Sequence, residues 1–517
     1  MSLLRFILFL FSIQMAMGQD YSVRGQIFSG NEPLENVSIF IKGSTQGGTT
    51  NSKGQFLLNF SKIKNPKLVI SYLGYKSLTI PISSAKINLG VLKMEPDELL
   101  EEVVISGTLK PVSKLDSPVA VDVYSQSFFR ANPTSSVFEA LENINGVRPQ
   151  LNCNVCNTGD IHINGQEGSY TMVLIDGLPL VSGLSTVYGL SGIPQSLIER
   201  VEVVKGPAST LYGSEAIGGV INLITKLPEN TSKLSIDSFT SGWGELNTDV
   251  GYKYRLSKRT TGLLGINYFN YSNPIDNNED GFTDLTLQDR ISIFNKFTFN
   301  NKLSFATRYV YEDRWGGQIG WMPKYRGGDL LYGESVYTSR FEFFGNYKIN
   351  PAISFQFSFN DHDQNAVYGT TLFNADQTIG FGQMTLNKNS KNNEFLLGVS
   401  YRYTYYDDDT TATYDEITGN NRGATTHLPG VFIQNQTQLN AKNIVLVGLR
   451  YDYNSLYGSI VTPRLNYKLN NHDKTSTLRL SAGTGYRIAQ IFTEDHASLT
   501  GARKVEFLER LNPEKSW

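Results

Sequence analysis

Residues 198–226 read IERVEVVKGPASTLYGSEAIGGVINLITK. An alternating charged run, Ile198-Glu199-Arg200-Val201-Glu202-Val203-Val204, precedes a Gly/Pro/Ser cluster from Gly206 to Gly219 and the apolar run Val220-Ile221-Asn222-Leu223-Ile224. The alternation and the punctuation predict strand, compact turn, strand. Gly206, Gly213, Gly218 and Gly219 permit positive φ or close backbone approach, so the segment reads as the core of a small sheet and not as a linker.

Working outward, residues 119–124 alternate as a strand, and Ser135-Ser136 cap a helix expected to run through Phe138, Leu141 and Ile144 to a stop at Gly146. Ile161-His162-Ile163 and the run from Thr171 to Gly177 supply further strands of the same sheet. A small mixed α/β unit over 115–228 results. Its ordered segments ALENINGVRP, INGQ, VLIDGLPL and the opening stretch resemble the plug of TonB-dependent outer-membrane receptors. One departure is Asn164-Gly165, where the family usually carries Arg-Gly.

The resemblance implies roles for particular residues. The plug motif falls on Asp176, Gly177, Glu199, Arg200, Glu202, Lys205, Gly206, Tyr212, Gly213, Gly218 and Gly219. Glu199, Arg200, Glu202 and Lys205 are expected to pair with charges on the barrel wall, against the simpler reading of solvent-facing charge. The stretch 198–226 becomes the hinge joining plug to wall. Apical ligand contacts are expected from Asn152, Cys153, Cys156, His162, Gln166, Ser185 and Tyr188. Cys153 and Cys156 are the only cysteines. In an exported protein they read as a local disulfide, or with His162 as an incomplete soft-metal site. No cofactor is implied.

Residues 1–18 carry Arg5, an apolar run from Phe6 to Ile13 and Ala16-Met17-Gly18, the pattern of a secretory signal. Short alternating runs over 19–94, broken at Gly30-Asn31, Gly47-Gly48 and Lys53-Gly54, predict a small β-sandwich. Through PLENVSIFIKGSTQGGTTNSKGQFLL and SYLGYKS it resembles the carboxypeptidase-regulatory-like domain at the front of many Bacteroidetes outer-membrane receptors. The joint at 95–114 is acidic and then apolar. Glu101, Glu102, Val103, Val104, Ile105 and Ser106 read as a solvated linker, or as an exposed β-forming segment that a partner captures by strand addition, the TonB box of the resembled family.

From 229 to 517 the pattern is of long alternating runs without helices, with aromatics at their ends as in Tyr401-Arg402-Tyr403-Thr404-Tyr405-Tyr406. That predicts a transmembrane β-barrel, whose lipid face needs apolar residues only at every second position. The bias of composition agrees: 28 Tyr and 29 Phe stand beside only 18% charged residues. Tight turns such as Asn300-Asn301 are expected to alternate with long polar loops at 272–288, 314–334 and 407–426. Roughly thirteen strands are expected, against about 22 in plugged transporters, so the chain, ending in LNPEKSW, reads as part of a larger barrel.

The formal net charge of −2 and the lack of basic runs offer no basis for nucleic-acid binding. Five histidines, with no Gly-x-Ser-x-Gly or HExxH pattern, give no support to catalysis. Asp276, Asn278, Asp280 and Gly281 imitate half a calcium loop, but Leu287 stands where its bidentate Glu belongs, so a solvated Asn/Asp turn competes. Asp407-Asp408-Asp409 reads as a loop tip. Trp315, Trp321, Tyr325 and Tyr332 suit either ligand rings or interfacial anchoring.

The fold class expected is therefore mainly β: sandwich, mixed α/β plug, and an incomplete antiparallel barrel. The resemblance implies a receptor in the outer membrane of a Gram-negative cell, surrounded by lipid and coupled to the TonB-ExbB-ExbD complex, importing a small metal chelate such as a ferric siderophore. Cobalamin, heme or copper are other cargoes, and a non-transporting surface-binding barrel is the reading from a different class.

Overall fold

The computed structural model describes the chain apart from residues 1–20, 31, 62, 64, 73–74, 76, 95–102, 154–157, 180–183, 185–188, 191, 416–417, 472–475, 490–505 and 507–510, and apart from the side chains of 152, 153, 158 and 415. The expected signal segment and Glu101 and Glu102 lie outside the described residues. Contacts divide the chain into two units, Met1–Glu102 and Val103–Trp517.

The first unit holds β1 (Tyr21–Ser29), β2 (Glu32–Pro33), β3 (Ser38–Ile41), β4 (Gly47–Thr49), β5 (Gln55–Phe60), β6 (Lys67–Ser71), β7 (Leu78–Pro81) and β8 (Lys86–Lys93). One sheet runs β2-β1-β5 with β8 beside β1, and the other runs β4-β3-β6-β7. The strict in-out alternation of β5 shows why this sequence makes a sandwich: Phe56, Leu58 and Phe60 turn inward onto Val23, Ile27, Ile39 and Ile70.

The second unit begins with β9 (Val103–Val104), β10 (Val112–Ser113), β11 (Val121–Ser125), α1 (Gln126–Ala131), α2 (Val137–Ala140), β12 (Val147–Cys153), β13 (Thr158–Ile163), β14 (Thr171–Ile175), β15 (Leu178–Pro179), β16 (Ile198–Lys205), α3 (Ser209–Tyr212) and β17 (Gly219–Thr225). Five strands form a mixed sheet in the order β11-β16-β17-β14-β15, with β14 parallel to β17 and the other pairs antiparallel. The stretch 198–226 is thus the centre of this sheet and not a hinge to the wall. Two further corrections follow. The helix capped by Ser136, whose hydroxyl accepts from Glu139 N, ends at Ala140 and continues as a 3₁₀ turn over Leu141–Asn143. The strand holding Ile161 and Ile163 pairs with β12 in a separate hairpin, not with the sheet.

Around this plug wraps one antiparallel sheet of 13 strands. It comprises β18 (Leu234–Thr240), β19 (Leu246–Ser257), β20 (Thr260–Tyr271), β21 (Leu287–Phe299), β22 (Leu303–Gly317), β23 (Gly333–Lys348), β24 (Ile353–Tyr368), β25 (Thr371–Asn389) and β26 (Asn393–Asp408). After a small loop hairpin, β27 (Tyr414–Asp415) and β28 (Asn420–Asn421), it continues through β29 (Ala424–Gln438), β30 (Asn443–Asn454), β31 (Gly458–Asn470) and β32 (Thr477–Gly483). A last hairpin joins β33 (Gly485–Arg487) to β34 (Glu514–Ser516).

The two faces of the large sheet decide what surrounds it. Ile291, Ile293, Phe341, Leu397, Val399, Ile433, Val447 and Leu449 are exposed on one face, while Ser292, Arg340, Glu342, Gln434 and Arg450 alternate with them and are buried on the other. A soluble sandwich would show the reverse. Polar inside and apolar outside is the arrangement lipid requires. The strands from β19 to β31 in this sheet reach 12 to 19 residues. Two strands, β18 and β25, are absent from the sequence reading; in β25 Asp376, Thr378, Gly380 and Gly382 dilute the apolar alternation.

The connections also differ in part from expectation. At one rim all are short; Asn300 and Asn301 both adopt positive φ, as a tight hairpin of right-handed twist demands. At the other rim the segments 272–286, 318–332 and 409–423 are long, but 369–370 and 455–457 are short.

Candidate functional site

The plug offers a site where β9 ends. Val103–Val104 pairs with Val112–Ser113, and Val104 is wholly buried in a cluster with Val119, Met172, Leu174 and Val220. The next two residues are seized by one carboxylate. Glu202 Oε2 accepts from Ile105 N at 2.9 Å, Ser106 N at 2.9 Å and Ser106 Oγ at 2.7 Å. Its other oxygen takes Arg200 Nε at 3.0 Å and Nη2 at 2.8 Å. Ser106 Oγ also accepts from Asn222 Nδ2 at 2.9 Å, and Ser106 O accepts from the Tyr212 hydroxyl at 3.0 Å. Burial pushes the Tyr212 phenol well above its usual range, so it stays a donor. Every polar group of Ser106 is therefore held.

Glu202 is 0% exposed, a costly place for a charge. Arg200 and three donors offset that cost, since charge-assisted bonds are about twice as strong as neutral ones. Residues 104–106 are thus docked, where the sequence reading has an exposed segment, while Val103 is 45% exposed. The carboxylate sits mid-strand in β16 and Asn222 is its register partner in β17, so the clamp is built on the two central strands.

The expectation that the motif charges pair with the wall is corrected. Arg200 bonds Glu199 at 3.1 Å as well as Glu202, and Lys205 bonds Asp122 of β11 at 2.8 Å, all within the plug. Solvent-facing charge fails equally for Glu202. Neighbours along β16, and for Lys205 the adjacent strand β11, lie within reach of these side chains, so they find each other first. Asp176 does reach the wall: its Oδ2 accepts from Lys296 Nζ at 2.8 Å and from Thr225 Oγ1 at 2.7 Å. Among the glycines, Gly213 closes α3 at φ 82°, and a Cβ on Gly219 would lie 2.4 Å from Val204 O. Gly206 N donates to Gly218 O at 2.9 Å, closing the turn, and Gly177 N donates to Asn222 Oδ1 at 2.9 Å.

The lumen wall holds the plug chiefly by capping its backbone. Arg290 donates to Ser135 O at 3.1 Å, Arg308 to Gly189 O at 2.6 Å, and Arg479 to Ser117 O at 3.0 Å. Thr210 Oγ1 returns a bond to Thr462 O at 3.1 Å. Gly251 and Gly265 oppose each other on β19 and β20 and form a socket for Leu197. Apolar wall residues Leu263, Phe294, Ala306 and Phe344 join the plug core itself. At the short-turn rim Lys110 pairs with Glu394.

The apical candidates divide. Cys156, Ser185 and Tyr188 lie outside the described residues, as do the side chains of Asn152 and Cys153, which end β12. His162 Nε2 meets Asp160 Oδ1 at 2.9 Å, and Gln166 occupies an exposed turn beside Gly218. Among the described residues no group of three or more His, Cys, Asp or Glu could hold a metal.

The loop 272–286 uses its acids on itself. Asp276 accepts from Asp280 N and Gly281 N at 3.1 and 2.9 Å, and Asp280 accepts from Phe282 N at 2.8 Å, the bonding of an Asn/Asp turn. Asp407 and Asp408 bond Asn421 and Thr413 in their own loop, at 2.7 and 2.8 Å, while Asp409 accepts from Asn374. The loop aromatics are also committed. Trp315 packs on Phe269, Tyr271 and Leu287, Trp321 covers Gly333, and the Tyr332 hydroxyl bonds Glu334 at 2.6 Å. Tyr325 stacks under Lys324 at 4.8 Å.

Asn222, Lys296 and the glycine socket are absent from the sequence reading. A signal exists only for Asn222, a single amide inside the apolar run 220–224.

Family models match three stretches. A TonB-dependent receptor plug domain covers 113–220, a carboxypeptidase-regulatory-like domain covers 23–105, and a TonB-dependent receptor-like β-barrel covers 240–517. Similar solved structures include the siderophore receptor PiuA of Acinetobacter baumannii, at TM-score 0.58 and 14% identity over 79% of this chain and 70% of that one. The ferric enterobactin receptor PfeA of Pseudomonas aeruginosa, in a mutant complexed with enterobactin, gives TM-score 0.54 and 16% identity over 72% and 63%. The siderophore receptor PirA of Pseudomonas aeruginosa gives TM-score 0.53 and 15% identity over 72% and 65%. The chain thus spans under two thirds of the length of the latter two.

Proposed function

The chain belongs to the TonB-dependent receptor family, and from that premise we propose that it imports a scarce extracellular metal chelate, most simply a ferric siderophore, across the outer membrane with energy supplied through TonB-ExbB-ExbD. The family is one of outer-membrane transport receptors and not of enzymes. Siderophore cargo is what the solved neighbours' names suggest for this chain, with cobalamin, heme or copper as other chelates.

The observation that supports energised transport is the clamp on Ser106. Segment 103–106 is held by five hydrogen bonds with Glu202, Asn222 and Tyr212 and by the burial of Val104, and its carboxylate partner stands on β16, paired with the middle strand β17 of the plug sheet. The bonds to the Glu202 carboxylate are charge-assisted and worth about 1.5–3 kcal/mol each, so the segment stays docked at rest and leaves only under an applied pull, and the ladder bonds of the plug core are not among those broken. Tension on the segment also loads β16 and β17 directly. Ligand binding then needs only differential affinity for two plug states, with no chemical transformation.

Deletion of Glu101 through Ser106 tests the reading. Uptake of a panel of radiolabelled ferric chelates by iron-starved cells is expected to fall to background while binding at the cell surface persists. Undiminished uptake would refute energised import and favour a barrel that only binds or anchors.

A further inference from the structure

A cavity of about 350 Å³ separates the plug edge from wall strands β21 to β23, and Ile105, the residue before Ser106, is part of its lining. Its mouth lies at the short-turn rim, by Asn301, Lys302 and Lys348. Inward it ends at Ala306 and Phe344, which belong to the apolar seam between plug core and wall. On the plug side the cavity is lined by Leu178 of β15, Glu199 and Arg200 of β16, and Ile224 and Thr225 of β17, and β15 is a two-residue edge strand with few ladder bonds to lose.

Across the cavity stands the Asp176–Lys296 pair. Asp176 sits in a left-handed turn at φ 51°, and its carboxylate also accepts from Thr225 N at 2.8 Å. The turn is tied to the clamp through one side chain. Asn222 donates to Ser106 Oγ at 2.9 Å and accepts from Gly177 N at 2.9 Å. Withdrawing Ser106 leaves a wholly buried amide half-satisfied and removes Ile105 from the cavity wall.

We propose that this cavity is the vestibule through which cargo leaves, and that the Asp176–Lys296 bond is its gate, released through Asn222 when Ser106 is withdrawn. The inference rests on reading the chain as an energised importer. Once the bond parts, the Lys296 ammonium turns to the cavity, with Lys302 and Lys348 at its mouth, a setting that favours anionic cargo.

The test uses the full receptor in cells, with Cys153 and Cys156 replaced by serine. Ala306→Cys reports on the inner end of the cavity and Ser400→Cys on a different wall sector. The probe is a membrane-impermeant maleimide added outside. Lys296→Met and Asp176→Asn are each expected to speed labelling at position 306 about fivefold, the change in open population that losing an ion pair worth about 1 kcal/mol gives. Neither should alter labelling at position 400, and Lys296→Arg should behave as the parent. A proton uncoupler should leave the fast labelling of the gate variants in place. No acceleration at 306, or equal acceleration at 400, overturns the gate. Labelling of the parent, gate bond intact, that is indifferent to the uncoupler overturns the energised reading instead. Heat-shifted gel mobility confirms that each variant barrel is folded.

Discussion

Glu202 was legible in the sequence as one charge among several on an alternating strand, and nothing nearby in the chain identifies its partners. Ile105 and Ser106 precede it by 97 and 96 residues. A carboxylate that holds three donors and a guanidinium in a dry site is expected to be sensitive to neutralisation. Glu202→Gln keeps the shape but loses charge-assisted bonds worth about 1.5–3 kcal/mol each. Amide hydrogen exchange at Ile105 and Ser106 should accelerate by one to two orders of magnitude, with β14 amides unchanged. Unchanged exchange at 105 and 106 would show that Val104 burial alone docks the segment. Asn222 carries a second lesson of this scale. An amide inside an apolar run is expensive unless satisfied, and that cost is the visible trace of a buried partner.

At the scale of elements, strand pairs make the contacts that no single residue announces. Gly251 and Gly265 are register partners on β19 and β20, and a Cβ on Gly265 would fall 2.1 Å from Leu197 Cδ1. Gly265→Val is therefore expected to loosen plug docking by about 1–3 kcal/mol, the usual cost of overpacking. Protease cleavage of the plug in detergent-solubilised receptor should speed accordingly, and adding Leu197→Ala should restore much of the protection. Equal cleavage in parent and variant would remove the socket from the account. The shortened helix α2 belongs here too. Its periodic residues Leu141 and Ile144 are buried as expected, but tertiary packing takes them in a 3₁₀ turn and an extended residue, because burial specifies the contact and not the winding.

The whole molecule is governed by its solvents. An apolar outer face alternating with a charged inner one makes lipid outside and a wet plug inside the only arrangement in which both are satisfied. Leu449 and Arg450 are adjacent residues of β30, one exposed outward and one buried against Asp452 and Ser400. Leu449→Arg is expected to cost about 2–4 kcal/mol, as for a charge near mid-bilayer. Urea unfolding in lipid vesicles should register that loss, and a midpoint equal to the parent's would contradict a lipid-facing Leu449. The long segments 272–286, 318–332 and 409–423 gather at one rim, opposite the clamp and the cavity mouth, so under the proposed import reading ligand access and energy input fall at opposite ends.

The plug was named through a resemblance, and by itself the sequence determined the alternating strands of sandwich and barrel, their approximate number and the strand-turn-strand character of 198–226. Those features rest on local periodicity and turn chemistry, which operate over a few residues. Only the tertiary structure decided that the motif charges serve the plug and not the wall, that Ser106 is clamped and that Asp176 reaches Lys296. These depend on side chains about a hundred residues apart meeting in a buried space, and a one-dimensional pattern carries no record of which buried charge will find which donor.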